Sequence, residues 1–291
     1  MRLLADAPAR RTLRSSGPEP VPERDRADRP SAADVRPHPV RELVLVATLF
    51  TAYKLGRAAV DDRVATAFHN ARAAWGLERW LHLPSERSVQ ALLLDSDVLV
   101  HGANIFYAYV HFPATAAFLL WMYLRRPAHY RWARRSLAVL TAAAFVIHVL
   151  VPLAPPRMLA GISMIDTGAV YGPAVYGPPQ TDELANQYAA LPSLHVGWAL
   201  MVAIGIIVTT RHRWRWCWLA HPAVTLVVVV GTANHYWVDA IVATALLAVT
   251  LSLPHRLLSA PRAADDGPHR GRVAVGAVEV EPVAVPDVVA R

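Results

Sequence analysis

Between residues 43 and 253 the chain is dominated by apolar runs close to the roughly 20 residues needed to cross a bilayer. Six can be drawn, at residues 43–60, 98–123, 137–153, 194–210, 216–231 and 237–253. In a hydrocarbon layer every backbone N–H and C=O must be satisfied internally, which leaves such a run little choice but helix. With 54% hydrophobic residues, the composition is too apolar for an ordinary soluble domain. The expected fold class is therefore all-α: a polytopic membrane protein with a six-helix transmembrane bundle at residues 41–256. The first run is the weakest, because Lys54 and Arg57 stand near its end. Residues 1–40, rich in Arg, Pro, Asp and Glu, read as a disordered basic arm without a cleavable signal peptide, and residues 257–291 as a disordered tail.

Two stretches between the runs call for separate readings. Residues 61–97 interleave Trp75, Leu77, Trp80 and Leu81 with charges, the pattern of one or two amphipathic helices lying at the membrane interface. Residues 154–192 form a long loop rich in Pro, Gly and Tyr that contains Arg157 and Asp166. Long irregular loops in compact proteins usually carry function or lack order, and the arginine and aromatic content favours function.

The net charge of +7 is almost all arginine. Without a nucleic-acid-binding motif it reads as charge flanking a membrane, and no nucleic-acid partner is expected. Arg125, Arg126, Arg131, Arg134 and Arg135 follow the second run, and Arg211, Arg213 and Arg215 follow the fourth. The loop after the third run has one arginine and the turn after the fifth has none. By the positive-inside rule both termini are cytoplasmic, against the dissent of the arginines in residues 61–97. The starts of the fourth and sixth runs then share the outer face of the plasma membrane. The single cysteine, Cys217, excludes an intrachain disulfide and a cysteine-based zinc site.

Those two starts are where ionisable residues concentrate, and such groups are expensive in apolar segments unless they are used. One reads Pro192-Ser193-Leu194-His195 and the other Asn234-His235-Tyr236-Trp237-Val238-Asp239. His235 and Asp239 are four residues apart, on one face if helical. A carboxylate that binds one imidazole nitrogen leaves the other as a base or nucleophile. Ser193 stands near the N-cap of the fourth run, where free N–H groups make a natural phosphate cradle, and His195 lies on the first turn beside it.

Taken together the two motifs resemble the type 2 phosphatidic acid phosphatase superfamily, in particular its inositol phosphorylceramide synthase-like branch. The likeness extends to Glu78-Arg79-Trp80-Leu81, Tyr107-Ala108-Tyr109-Val110-His111, Ala154-Pro155-Pro156-Arg157-Met158 and the stretch from Asn186 to His195, and covers about residues 41–254. It implies an integral membrane phosphatase or phosphotransferase. In that scheme His235 is the nucleophile that forms a phosphohistidine, Asp239 orients it, and His195 is the general acid and base. Ser193 and Arg157 would hold phosphate oxygens. The substrate would be a membrane lipid phosphate and the acceptor water or an alcohol, with neither metal nor other cofactor; no protein partner is inferable.

The departures from the family pattern concern mainly positive charge. Leu194 replaces a glycine, as in the named branch. Val229 and Leu150 stand where the family usually has arginine and lysine. Arg157 is the first candidate to supply the missing charge, with Lys54 and Arg57 as seconds. Asn104, Tyr107 and His111 could line the substrate pocket or simply pack helices. Asp166 could position Arg157; His148 reads as a packing residue and Trp214, Trp216 and Trp218 as an interfacial belt. Two readings of other kinds stay open: a transporter or flippase using the intramembrane His and Asp, and a metal site built from His195, His235 and Asp239.

The orientation yields a direct expectation. A membrane-impermeant thiol reagent should label Cys217 in inverted vesicles or permeabilised cells and not from outside intact cells; labelling from outside would reverse the topology.

Overall fold

The computed structural model describes residues 63–175, 177 and 187–253, with isolated positions between 40 and 51. The expectations for Lys54, Arg57, the core of the first apolar run and both arms fall outside this set. Among the described residues the protein is helical, with no strand and one isolated bridge between Leu153 and Ala189.

The amphipathic stretch becomes two helices, α1 (Val64–Trp80) and α2 (Glu86–Leu94). On α1, Leu77 and Trp80 are exposed while Ala67, Ala71 and Glu78 are buried. The second apolar run is not one rod. It divides into α3 (Asp97–Tyr109) and α4 (His111–Arg125), bent by 48°. Pro113 supplies the reason: it has no N–H for the Tyr109 carbonyl, and its ring crowds that same carbonyl. The bend keeps Tyr107 and His111, which straddle it, near a common point.

The third run extends well beyond its apolar core. Helix α5 (Pro127–Leu150) starts with proline in its first turn, where a missing N–H costs nothing, and runs for 24 residues. Pro152 disfavours a helical conformation at Val151, and the helix stops there. After a 3-10 turn at Pro156–Met158 and the short α6 (Thr167–Tyr171), the fourth run forms α7 (Leu194–Thr209). The fifth is a 3-10 segment, Arg213–Leu219, continuing into α8 (Ala220–Gly231), and the sixth is α9 (Trp237–Ser252).

Length separates these helices. Pro127–Leu150 and the continuous Arg213–Gly231 are long and apolar enough to cross a membrane, and the bent α3–α4 pair makes a third candidate if it counts as one span. Helices α7 and α9 have 16 residues each, or about 24 Å at 1.5 Å per residue, short of a ~30 Å hydrocarbon layer. The expectation of six full-length spans is thus met by two or three among the described residues.

Helix α7 is central, packed against α4, α5, α8 and α9. One apolar cluster joins Phe118 and Met122 of α4, Leu137 and Leu140 of α5, Met201 and Val202 of α7, and Leu247 of α9. A second joins Ala67 and Ala71 of α1 to Leu153, Leu159 and Ile162 of the long loop and to Tyr236 just ahead of α9. The site lies near this second cluster, where the loop meets the N-termini of α7 and α9.

The α4–α7 contact is testable at Gly205. A Cβ there would stand 2.4 Å from Cζ and 2.8 Å from Cε2 of the Phe118 ring. Overpacking of this kind costs about 1–3 kcal/mol. Gly205→Ala should lower the thermal unfolding midpoint of the protein in detergent, whereas Gly76→Ala, with nothing within 4 Å of the new carbon, should not.

Candidate active site

Backbone hydrogen bonds bring the two motifs together before any side chain is considered. The Ser193 N–H donates to the Asp239 carbonyl at 3.1 Å, tying the first turn of α9 to the entry of α7. On the other side, the Arg157 N–H donates to the Ala233 carbonyl at 3.0 Å and the Leu153 N–H to the Tyr188 carbonyl at 2.8 Å. Ala233 itself adopts φ +58°, the left-handed conformation that closes the end of α8, and its own N–H returns to the Val230 carbonyl at 3.0 Å. This tight reversal delivers Asn234 and His235 to the start of α9.

His235 is buried and its tautomer follows from its neighbours. Nδ1 lies 2.9 Å from the Ala190 carbonyl and 3.2 Å from Oδ2 of Asp239. The carbonyl can only accept, so Nδ1 carries the hydrogen and the lone pair is on Nε2. Burial pushes the His235 pKa down to about 4; the Ala190 carbonyl acts the other way and the Arg157 charge adds to the lowering. The ring is neutral at physiological pH, the state a nucleophile needs. Asp239 is fully buried, and the same Oδ2 also accepts the Tyr236 N–H at 2.8 Å. Its carboxylate thus meets His235 across one helical turn, the juxtaposition that a spacing of four residues allows.

His195 reaches the same place from α7. Its ring centroid is 5.7 Å from that of His235. The ring stacks on Tyr107 at 4.5 Å and lies 4.4 Å from His111, the two residues either side of the α3–α4 bend. His195 is therefore held by aromatic faces from a neighbouring helix pair. Ser193 is the N-cap of α7, its Oγ accepting the Val196 N–H at 3.4 Å.

Arg157 is positioned from three directions. Nη1 donates to Oδ1 of Asn234 at 2.5 Å, Nε lies 3.3 Å from Oδ2 of Asp166, and its backbone is anchored on Ala233. The side chain is only 3% exposed and its charge acts on His235. Val229 is buried in α8, where its carbonyl accepts the N–H groups of Asn234 and His235, both at 3.0 Å. Leu150 is 65% exposed at the end of α5. Neither position adds charge to the site; Arg157 does.

Other expected residues make contacts within the protein. Asn104 spends its amide on the loop, donating to the carbonyls of Thr167 (2.9 Å) and Gly172 (3.0 Å) and accepting from the Thr167 hydroxyl (2.8 Å). It still borders a small open cleft with Tyr107, Asp166, Pro173 and Asn234. His111 is buried against His195 and Trp198. His148 donates from Nε2 to the Pro192 carbonyl at 3.1 Å, holding the entry to α7. Asn234, part of the motif but given no role by sequence, proves to be the residue that aims Arg157. An apolar groove of about 630 Å³ runs beside the site between α7, α8 and α9, starting at Val196 and Trp237 and lined by Leu200, Leu226, Ile241 and Thr244. Among the described residues no three His, Cys, Asp or Glu side chains converge as metal ligands would.

A protein-family model described as the PAP2 superfamily matches residues 72–253, well over half of the chain. No curated protein and no solved structure matches.

The positioning of Arg157 sets up a quantitative expectation. Lysine keeps the charge but cannot bridge Asn234 and Asp166 with a planar fork. Arg157→Lys should weaken inorganic phosphate binding, measured by calorimetry on the detergent-solubilised protein, by about tenfold or more, corresponding to roughly 1.4 kcal/mol. Unchanged affinity would remove Arg157 from the anion site.

Proposed function

Because the chain belongs to the PAP2 superfamily, which carries phosphatase- and phosphotransferase-type activity, we propose that it is an integral membrane enzyme acting on a lipid phosphate through a phosphohistidine. The observation that carries this reading is the His235 tautomer. Nδ1 is tied down by Ala190 and Asp239, so the Nε2 lone pair is available in a site that also holds His195 and Arg157.

The chemistry follows from those positions. Nε2 of His235 attacks phosphorus, a P–N bond forms and the ester P–O bond breaks. His195, as an imidazolium beside the bound phosphate anion, gives a proton to the departing oxygen and becomes neutral. It then takes a proton from water or an alcohol, which attacks the phosphoryl group and breaks the P–N bond, restoring neutral His235. Arg157 and the N-terminal turn of α7, capped by Ser193, stabilise the phosphoryl oxygens. The reaction needs no metal in this scheme, and full activity after exhaustive chelation is expected.

The apolar groove supports a lipid as the phosphate carrier, since it begins at Val196 and Trp237, next to the motif residues. The arginine distribution supports a plasma-membrane enzyme with both termini cytoplasmic and the site facing outward. Six crossings would then include the short α7 and α9, with bilayer thinning or the flanking segments making up the length. The resemblance of the motifs to inositol phosphorylceramide synthase-like enzymes supports a second reading, transfer of the phosphoryl or head group to an alcohol. Incubation with phosphatidic acid, with and without inositol or a sugar, separates the two: release of phosphate alone supports hydrolysis.

The nucleophile is the decisive point. A phosphoenzyme trapped from labelled substrate should vanish in His235→Ala, and His195→Ala should slow turnover by about 100-fold or more. Label persisting in His235→Ala would sink the mechanism.

A further inference from the structure

Glu78 and Glu86 form a second buried acidic group, below the proposed catalytic pair and unused by the mechanism. Both side chains are completely buried. Glu86 comes from the first turn of α2 and pairs through Oε2 with Nη2 of Arg79 at 3.1 Å. Glu78 comes from α1 and accepts, through Oε1, the N–H of Val238 at 2.8 Å. Val238 lies in the first turn of α9, where backbone N–H groups have no partner within the helix. Glu78 therefore joins α1 to the turn that also carries Asp239.

The remaining oxygens, Oε2 of Glu78 and Oε1 of Glu86, are buried and accept no hydrogen bond from an N–H or O–H donor among the described residues. Glu86 acts on Glu78 both through a side-chain hydrogen bond and through its charge, and two carboxylates cannot hydrogen-bond without a proton between them. Other polar neighbours supply little relief. The buried Tyr236 hydroxyl has no partner among the described residues and feels the charge of Asp239, Glu78 and Glu86. Asp239 adds further negative charge, and Arg79 is committed to Glu86.

We propose that Glu78 is a positioning residue for the His235–Asp239 pair: it keeps a proton, shares it with Glu86, and so docks the first turn of α9 onto α1. The proton leaves Glu86 ionised for Arg79 and leaves Oε1 of Glu78 free to accept from Val238. Burial, then the hydrogen bond to Glu86, pushes the Glu78 pKa up to about 9 against the opposing effect of the Val238 N–H. Above that pH an uncompensated negative charge would stand beside Glu86 and Asp239, and the first turn of α9 would shift. Glutamine at position 78 would keep both contacts, its carbonyl accepting from Val238 and its amide donating to Glu86, without a group to titrate.

As a statement about catalysis this rests on the proposed phosphoryl chemistry, so the test has one arm with substrate and one without. With phosphatidic acid in detergent micelles, phosphate release by the wild type should fall about tenfold at pH 10 as Glu78 ionises. Glu78→Gln should stay within about threefold of the neutral wild type over the same range, while Glu78→Ala should lose about tenfold or more at every pH through misplacement of the pair. The arm without substrate follows thermal unfolding. Between pH 4.5 and about 9 the folded protein retains a proton that the unfolded chain has released, so wild-type stability should decline with rising pH across that window and Glu78→Gln should lack that decline. Parallel unfolding curves would overturn the shared proton. A folded Glu78→Gln as inactive as Glu78→Ala, or one with the wild-type alkaline limb, would overturn the positioning role. If the wild type releases no phosphate, the proposed function fails while the unfolding curves still judge the proton.

Discussion

The bifurcated hydrogen bond from Nδ1 of His235 is the constraint on which the rest of the site depends. Its two acceptors come from different parts of the chain: the Ala190 carbonyl just ahead of α7, and the Asp239 carboxylate within α9. Both must be in place for the ring to hold one tautomer and present Nε2. Much of the surrounding architecture serves this requirement. The Ser193 N–H to Asp239 carbonyl bond ties the two helix starts, the pairing of Leu153 with Tyr188 and Ala190 sets the strand of loop that offers the carbonyl, and His148 holds Pro192 from α5. Burial of this many polar groups is tolerable because most are hydrogen-bonded by backbone or side chain.

Positive charge is the scarce resource in such a site. Arg157 lies beside His235 among the described residues, and it is held in place on several sides. Asn234, Asp166 and the Ala233 carbonyl fix the guanidinium and backbone together. A preorganised cation in a water-poor cleft does more electrostatic work than a mobile one, because little reorganisation accompanies charge development. The same logic extends below the site. The acidic pair of Glu78 and Glu86 anchors α9 through a shared proton, avoiding a second fixed negative charge near a phosphate.

How far the sequence could be read varied with the interaction involved. Helix boundaries at the fourth and sixth runs were legible to within a residue or two, because Pro192-Ser193 and Tyr236 open continuous apolar segments without internal breaks. The second run reads as continuous in hydropathy, which registers Pro113 as one more tolerable residue, but the backbone bends by 48° there. The third helix begins at Pro127, ten residues ahead of its apolar run from residue 137, because its first turns are rich in Arg and Trp, which periodicity of apolar residues undercounts. Among the described residues two or three helices reach full-span length, because an apolar run of 16 or 17 residues reads as a span on composition but falls short in length.

The sequence by itself determined the helical class, the spacing that sets Asp239 beneath His235, and the family to which the chain belongs. These are local: they depend on periodicity, on one helical turn, and on short motifs. Only the tertiary structure decided that Arg157 lies near His235 and is held by Asn234, that Tyr107 and His111 pack on the His195 ring, and that Glu78 and Glu86 interact where Glu78 binds the first turn of α9. Each of these joins residues far apart in the chain, brought together by the bend at Val110, the reversal at Ala233 and the packing of α1 and α2 against the later helices. Distances of that kind are set by packing and backbone hydrogen bonds across elements, and no periodicity along the chain encodes them.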